Sequence, residues 1–160
     1  MAWTDSRVFR EWVAGPMMQA SGTGYTGLDS DTVKAALFNN TVIPDRDAAV
    51  ASTGLNTGVW TPANQVTDAT NWQSGGRTLA SKTFTTPSSG LAVFDAADLS
   101  GGGTVTITNA YGCLVYDDSI SGGTVVDQGV CFNYFGGAQS VVAGSFTIVW
   151  NSDGIMKITT

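Results

Sequence analysis

A mainly β fold is predicted for this chain: an antiparallel β-sandwich or small β-barrel with a short N-terminal helix or arm. Three observations predict it. From Tyr111 to Thr160 large apolar residues alternate with small or polar ones, the period of a sheet with one buried face. Candidate strands recur at spacings near ten residues and are punctuated by glycine turns, with no helices alternating between them. Of the 160 residues 42% are hydrophobic but only 12% are charged, and 20 glycines serve the turns.

The elements follow in chain order. Thr4 to Ala14 is the one helical candidate, with Thr4 or Asp5 as N-cap and Gly15-Pro16 as the stop. Val8, Phe9, Trp12 and Val13 fall on one face of it, leaving Arg7, Arg10 and Glu11 outside. With Met17-Met18 and the flexible Ser21 to Gly24, residues 1–24 read as an amphipathic arm on a single β-rich domain of residues 25–160. Its removal, residues 1–16, is expected to leave the body folded. Thr32 to Phe38 reads as the first strand, although Ala and Lys leave a helical turn open. Residues 41–58 form a long irregular connection. Strands are then expected near Val59–Val66, Arg77–Phe84, Leu91–Phe94, Thr104–Asn109 and Tyr111–Tyr116. The last three, near Val125–Phe135, Ser145–Trp150 and Ile155–Thr159, close the chain, with Asp153-Gly154 joining the final two as a hairpin.

Thirteen acidic residues against seven basic ones give a formal charge of −6, which disfavours binding to phosphate backbones. Arg7 and Arg10 make the N-terminus the one locally basic place. Cys113 and Cys131 flank the Ser121-Gly122-Gly123 turn. A three-residue loop would set them opposite each other and a two-residue turn on opposite faces, and two buried free thiols are the expected outcome. The N-terminus lacks an apolar stretch after its charges and no run is long enough to span a bilayer, so neither a signal peptide nor a membrane segment is expected. The protein is expected to stay in the cytoplasm until assembly.

Chemistry is sparse. The absence of histidine removes Ser-His-Asp and Cys-His catalysis and the commonest metal ligand. Glu11 is the single glutamate, so a paired-carboxylate glycosidase would need two aspartates from Asp95, Asp98, Asp117 or Asp118. Asp117-Asp118-Ser119 and Asp29-Ser30-Asp31 offer oxygens but lack the spacing of an EF-hand loop, and read as solvated turns. The glycine runs at 101–103, 122–123 and 136–137 match neither a Walker A loop nor a dinucleotide fingerprint. Trp60 and Trp72, near loops, are the candidates for stacking on a sugar. No catalytic residue, metal or cofactor is expected.

Met1 to Arg7, Val33 to Asn40 with Pro44-Asp45, Tyr111 to Asp118, Tyr134 to Gly137 and Ala143 to Asn151 together resemble a family of small virion proteins of tailed bacteriophages, particularly those infecting actinobacteria. Proteins of that family are described as head decoration or minor tail proteins. The resemblance covers nearly the whole chain, and its blocks are structural, so it transfers no functional residue. It implies a non-enzymatic protein that binds and stabilises the outer surface of the capsid, assembled in the host cytoplasm. The major capsid protein would be its partner, and a small homo-oligomer such as a trimer its state. A minor tail or fibre-associated protein with host-glycan affinity is the alternative. An apolar stripe beside the basic end makes Trp3, Arg7, Phe9, Arg10 and Trp12 the candidate partner-binding residues.

Overall fold

The computed structural model describes residues 3–10, 12 and 24–159. The fold is mainly β with several antiparallel sheets, sandwich-like and not a closed barrel. Its spine is a hairpin of two long strands, β8 (Val105–Asp117) and β9 (Gln128–Gly144). On the β8 side lie β2 (Val33–Phe38) and the two-residue strands β3 (Gln65–Val66) and β4 (Arg77–Thr78), both paired with β2. On the β9 side lies β1 (Arg7–Val8). A three-stranded sheet runs β11 (Met156–Thr159), β6 (Leu91–Asp95), β5 (Thr83–Ser88), and a third pair joins β10 (Thr147–Ile148) to β7 (Leu99–Ser100).

The expected helix does not begin at Thr4. Arg7 and Val8 are instead extended, pairing antiparallel with Phe132 and Cys131, and the Phe9 amide donates to the Val130 carbonyl at 3.1 Å. Pairing with a pre-existing strand satisfies backbone groups that an isolated short helix would leave to its own weak cooperativity. Arg10 and Trp12 have helical backbone, and the rest of the expected helix and most of the hinge lie outside the described residues. What is described of residues 3–12 does not project as an arm. Trp3, Phe9 and Trp12 are fully buried in one cluster with the sheet residues.

That cluster centres on Trp60. Its ring meets Phe38 at 5.1 Å, Trp3 at 5.8 Å, Phe9 at 6.0 Å and Phe132 at 6.1 Å between centroids, mostly edge to face, the geometry that aromatic quadrupoles favour. The Trp3 indole N–H finds the Asn39 carbonyl at 3.0 Å. Close approach of Trp3 is possible because residue 112 is glycine: a Cβ there would lie 2.6 Å from the indole and 2.5 Å from the Asn133 carbonyl oxygen. Gly129 does the same beneath Phe9, where a Cβ would come within 2.6 Å of the ring.

Three other expectations change. In the stretch Val59–Val66 only Gln65–Val66 (β3) is strand, preceded by a 3₁₀ segment at Pro62–Asn64. Residues 151–154 do form a tight turn, with the Gly154 amide on the Asn151 carbonyl at 2.8 Å, but not a hairpin. β10 and β11 leave it for different sheets, held to β7 and β6, so turn chemistry made the reversal and packing chose the partners. Finally, β8 and β9 are joined by residues 118–127 and not by a tight glycine turn. Cys113 faces Asn133 and Cys131 faces Val115, which leaves the thiols diagonal on one face, both buried and free. Burial pushes both thiols up, Cys131 to about 12, so they pack as protonated small hydrophobes.

Candidate interaction surfaces

Of the five residues expected to bind a partner, Trp3, Phe9 and Trp12 are sealed in this chain's own core. Apolar burial within the chain has already consumed the stripe. Arg7 and Arg10 remain at the surface, but the loop before the 3₁₀ turn at Val50–Ser52 returns beside them. Arg7 bridges Asp5 at 2.8 Å, Arg46 bridges Asp47 at 3.5 Å, and Arg10 lies 4.0 Å from Asp47. The Arg10 amide donates to the Arg46 carbonyl at 2.9 Å, which fixes the loop against β1. Arg7 and Arg46 thus line a shallow hollow with Asp5, Asp45 and Asp47, and Arg10 lies near Asp47. The basic end expected from the sequence is a charge-balanced patch, and such exposed pairs contribute about 0–1 kcal/mol each.

The sugar-stacking candidates are inside as well. Trp60 is the centre of the aromatic cluster, and Trp72 is fully buried with its ring edge on Phe146 at 5.4 Å.

The two aspartate turns are solvated only in part: Asp29 and Ser30 are exposed and Asp118 is half-buried. Asp31 and Asp117 are both buried, and their carboxyl groups contact each other. The Asp31 carboxylate accepts from the Thr26 amide at 2.9 Å, the Gly27 amide at 3.2 Å and the Thr26 hydroxyl. Burial pushes Asp31 up, but these donors outweigh it and hold its pKa below the ordinary value. Asp117 has one donor, the Ser119 amide at 2.9 Å, and its other oxygen meets no conventional donor. Burial and then the neighbouring Asp31 charge push Asp117 up to about 7. Below about pH 7 a proton on Asp117 would give the pair a donor towards the Asp31 carboxylate. Asp118 bridges Lys34 at 2.7 Å close by. Among the described residues no group of three or more Asp, Glu, His or Cys could hold a metal ion. The pair ties the loop before β2 to the end of β8, a structural role.

The opposite end of the β8–β9 hairpin is different in kind. Residues 128–152 contain no charged residue. Past Phe132, β9 has β8 on one side, while on the other side no described strand follows β1; there the Tyr134 amide donates to the Ser6 hydroxyl at 2.8 Å and the Tyr134 ring stacks on Trp3. The β8–β9 register shifts between Gly112–Tyr134 and Ala110–Gln139, so β9 carries extra residues that bulge outward at Gly136-Gly137. Between this bulge and β10 lies a groove of about 360 Å³ lined by Tyr134, Phe135, Gln139 and residues 146–149. Val142 and Val149, 80% and 72% exposed, are the most exposed large apolar side chains described. The sequence carried two signals for this surface, the missing charges and the alternation over Ser145–Trp150, which sets Val149 opposite Phe146 and Ile148; Val142 had none.

No family model matches the chain, and no curated protein or solved structure does so either. Among the described residues no helix is long and apolar enough to cross a membrane.

Proposed function

We propose that this protein is a non-enzymatic virion component that binds the outer surface of a tailed-phage capsid and reinforces it. The observation that carries the reading is the charge-free end of the molecule. In a chain of net charge −6, residues 128–152 have no charge, a strand edge with no described strand beside it past Phe132, and the two most exposed valines described. Such a surface is built for protein contact, where charged residues are depleted from the interface centre. Two of the blocks behind the resemblance to phage virion proteins, Tyr134 to Gly137 and Ala143 to Asn151, fall in this end. Many weak contacts repeated over a particle act with high avidity, so a shallow surface suffices.

Deleting residues 1–16 is no clean test, because it removes Trp3, Phe9 and Trp12 from the core. Quantitative mass spectrometry of purified particles tests the role directly. A copy number matching the coat lattice, with loss of heat resistance in particles lacking the protein, supports decoration. A few copies per particle would place it in the tail and refute the capsid reading. Charge reversal at Arg7 and Arg10, which are exposed, asks whether the N-terminal patch contributes to docking.

A further inference from the structure

We infer that the buried contact between Asp31 and Asp117 is a proton-operated latch: holding one proton, it fastens the loop of residues 24–32 to the end of β8, and holding none, it lets that loop open locally while the sheets stay folded. The inference concerns the aspartate end of the molecule and is independent of the virion reading.

Several contacts converge on this seam. The Thr32 amide donates to the Ser119 hydroxyl at 2.9 Å, and the Asp118 amide to the Thr32 carbonyl at 2.8 Å. Gly24 runs so close to Ser119 that a Cβ there would come within 2.5 Å of the Ser119 carbonyl oxygen. Tyr25 of the same loop sets its ring edge to face on Trp12 at 5.4 Å, which joins the loop to the core. At the centre Asp31 meets Asp117, both shut off from solvent. Asp31 spends its oxygens on the Thr26 and Gly27 amides and the Thr26 hydroxyl, all within its own loop. Asp117 takes the Ser119 amide on one oxygen and no donor on the other, and Gln128, opposite it on β9, does not supply one. Two ionised carboxylates held in that contact repel where little water screens them, and a proton on Asp117 replaces the repulsion with a hydrogen bond.

The surroundings sharpen the effect. The charges acting on Asp117 are those of Asp31 and Asp118, both negative. Lys34 on β2 is bound to Asp118 at 2.7 Å and also acts on Asp127 in the connection after β8. Asp29 and Tyr25 of the loop and Tyr116 of β8 also face this end, and burial raises both phenols, which keeps them neutral. Asp117 is pushed up to about 7 while the donors to Asp31 hold it low, so between those values the closed pair carries one proton. An opened loop hydrates Asp117 and returns it towards 3.8. Closing therefore takes up a proton, and the closed state weakens by up to about tenfold per pH unit as pH rises to 7.

Amide hydrogen exchange of the full chain, corrected for the intrinsic pH dependence of exchange and repeated in low urea, tests it. The amides of Thr32 and Asp118, which bond across the seam, are expected to lose protection about tenfold or more between pH 5 and pH 7. Urea leaves their exchange unchanged while it accelerates the amides of residues 130–132, the sign of a local opening. Asp117→Asn keeps a donor towards Asp31 and cannot ionise, so it holds the protection level across that range. Asp127→Asn is the control: its backbone φ of 52° suits asparagine, it removes a neighbouring titration, and it leaves the loss in place. The wild-type dependence on pH and urea is read without any variant. Wild-type protection that does not change with pH, a loss that persists in Asp117→Asn or vanishes in Asp127→Asn, or seam amides that open only together with residues 130–132 in urea overturns the inference.

Discussion

The two halves of β9 share one strand and have opposite surroundings. From Gln128 to Phe132 every residue is buried, β8 and β1 occupy both edges, and Phe9, Trp60 and Trp3 cover the rings. From Tyr134 to Gly144 no side chain is fully buried, one edge has no described strand beside it, and the backbone bulges. The difference comes from the N-terminal segment, which covers the first half and ends its pairing at Phe132. Covering a strand turns it into core, and the half without a described neighbour keeps its side chains at the surface.

The largest test breaks the covered half. Trp60→Ala removes the ring on which Trp3, Phe9, Phe38 and Phe132 converge and is expected to cost about 3–5 kcal/mol, read from urea denaturation. Gly112→Ala comes next. Its methyl collides with Trp3 and the Asn133 carbonyl, at an expected cost of about 1–3 kcal/mol, and amide exchange of residues 130–132 should accelerate towards that of 139–142.

The third test concerns the far end of the hairpin. Asp117 has a folded pKa of about 7 against an ordinary 3.8, so between these values the folded state holds a proton that the unfolded state has lost. Its contribution to stability is complete below about pH 4 and is lost as pH rises towards 7. Asp31, whose pKa is lowered, contributes in the opposite sense, losing stability as pH falls through its own range. Asp117→Asn keeps a donor towards Asp31 and cannot ionise. It should flatten the decline of stability from pH 4 to 7 measured by thermal unfolding, and an unchanged slope would refute the shared proton. The smallest effect is expected in the open half: Val142→Ser should shift unfolding stability, read from urea denaturation, by no more than about 0.5 kcal/mol.

Much of the fold was legible. Val33–Phe38 is a strand as read, and the alternation across Val130–Phe135 and Met156–Thr159 falls on real strands. The failures share a cause. Val8, Phe9 and Trp12 satisfy a helical stripe, yet Val8 lies in a strand, because the open edge of β9 offered hydrogen bonds that a local pattern cannot show. Asp153-Gly154 signalled a reversal, and the strands it separates went to different sheets. Asp29-Ser30-Asp31 and Asp117-Asp118 looked alike as turn sequences, and only folding set Asp31 against Asp117.

The candidate site divides in the same way. The β class, the glycine punctuation, the absence of histidine chemistry and the charge-free span 128–152 could all be read from the residues alone, since these are properties of composition and local period. Only the tertiary structure decided that the N-terminal aromatics are core, that Arg7 and Arg10 are balanced by Asp5 and Asp47, and that β9 is covered for one half and open for the other. Burial and strand pairing are relations between distant residues, and a local period is the same whichever partner arrives to satisfy it.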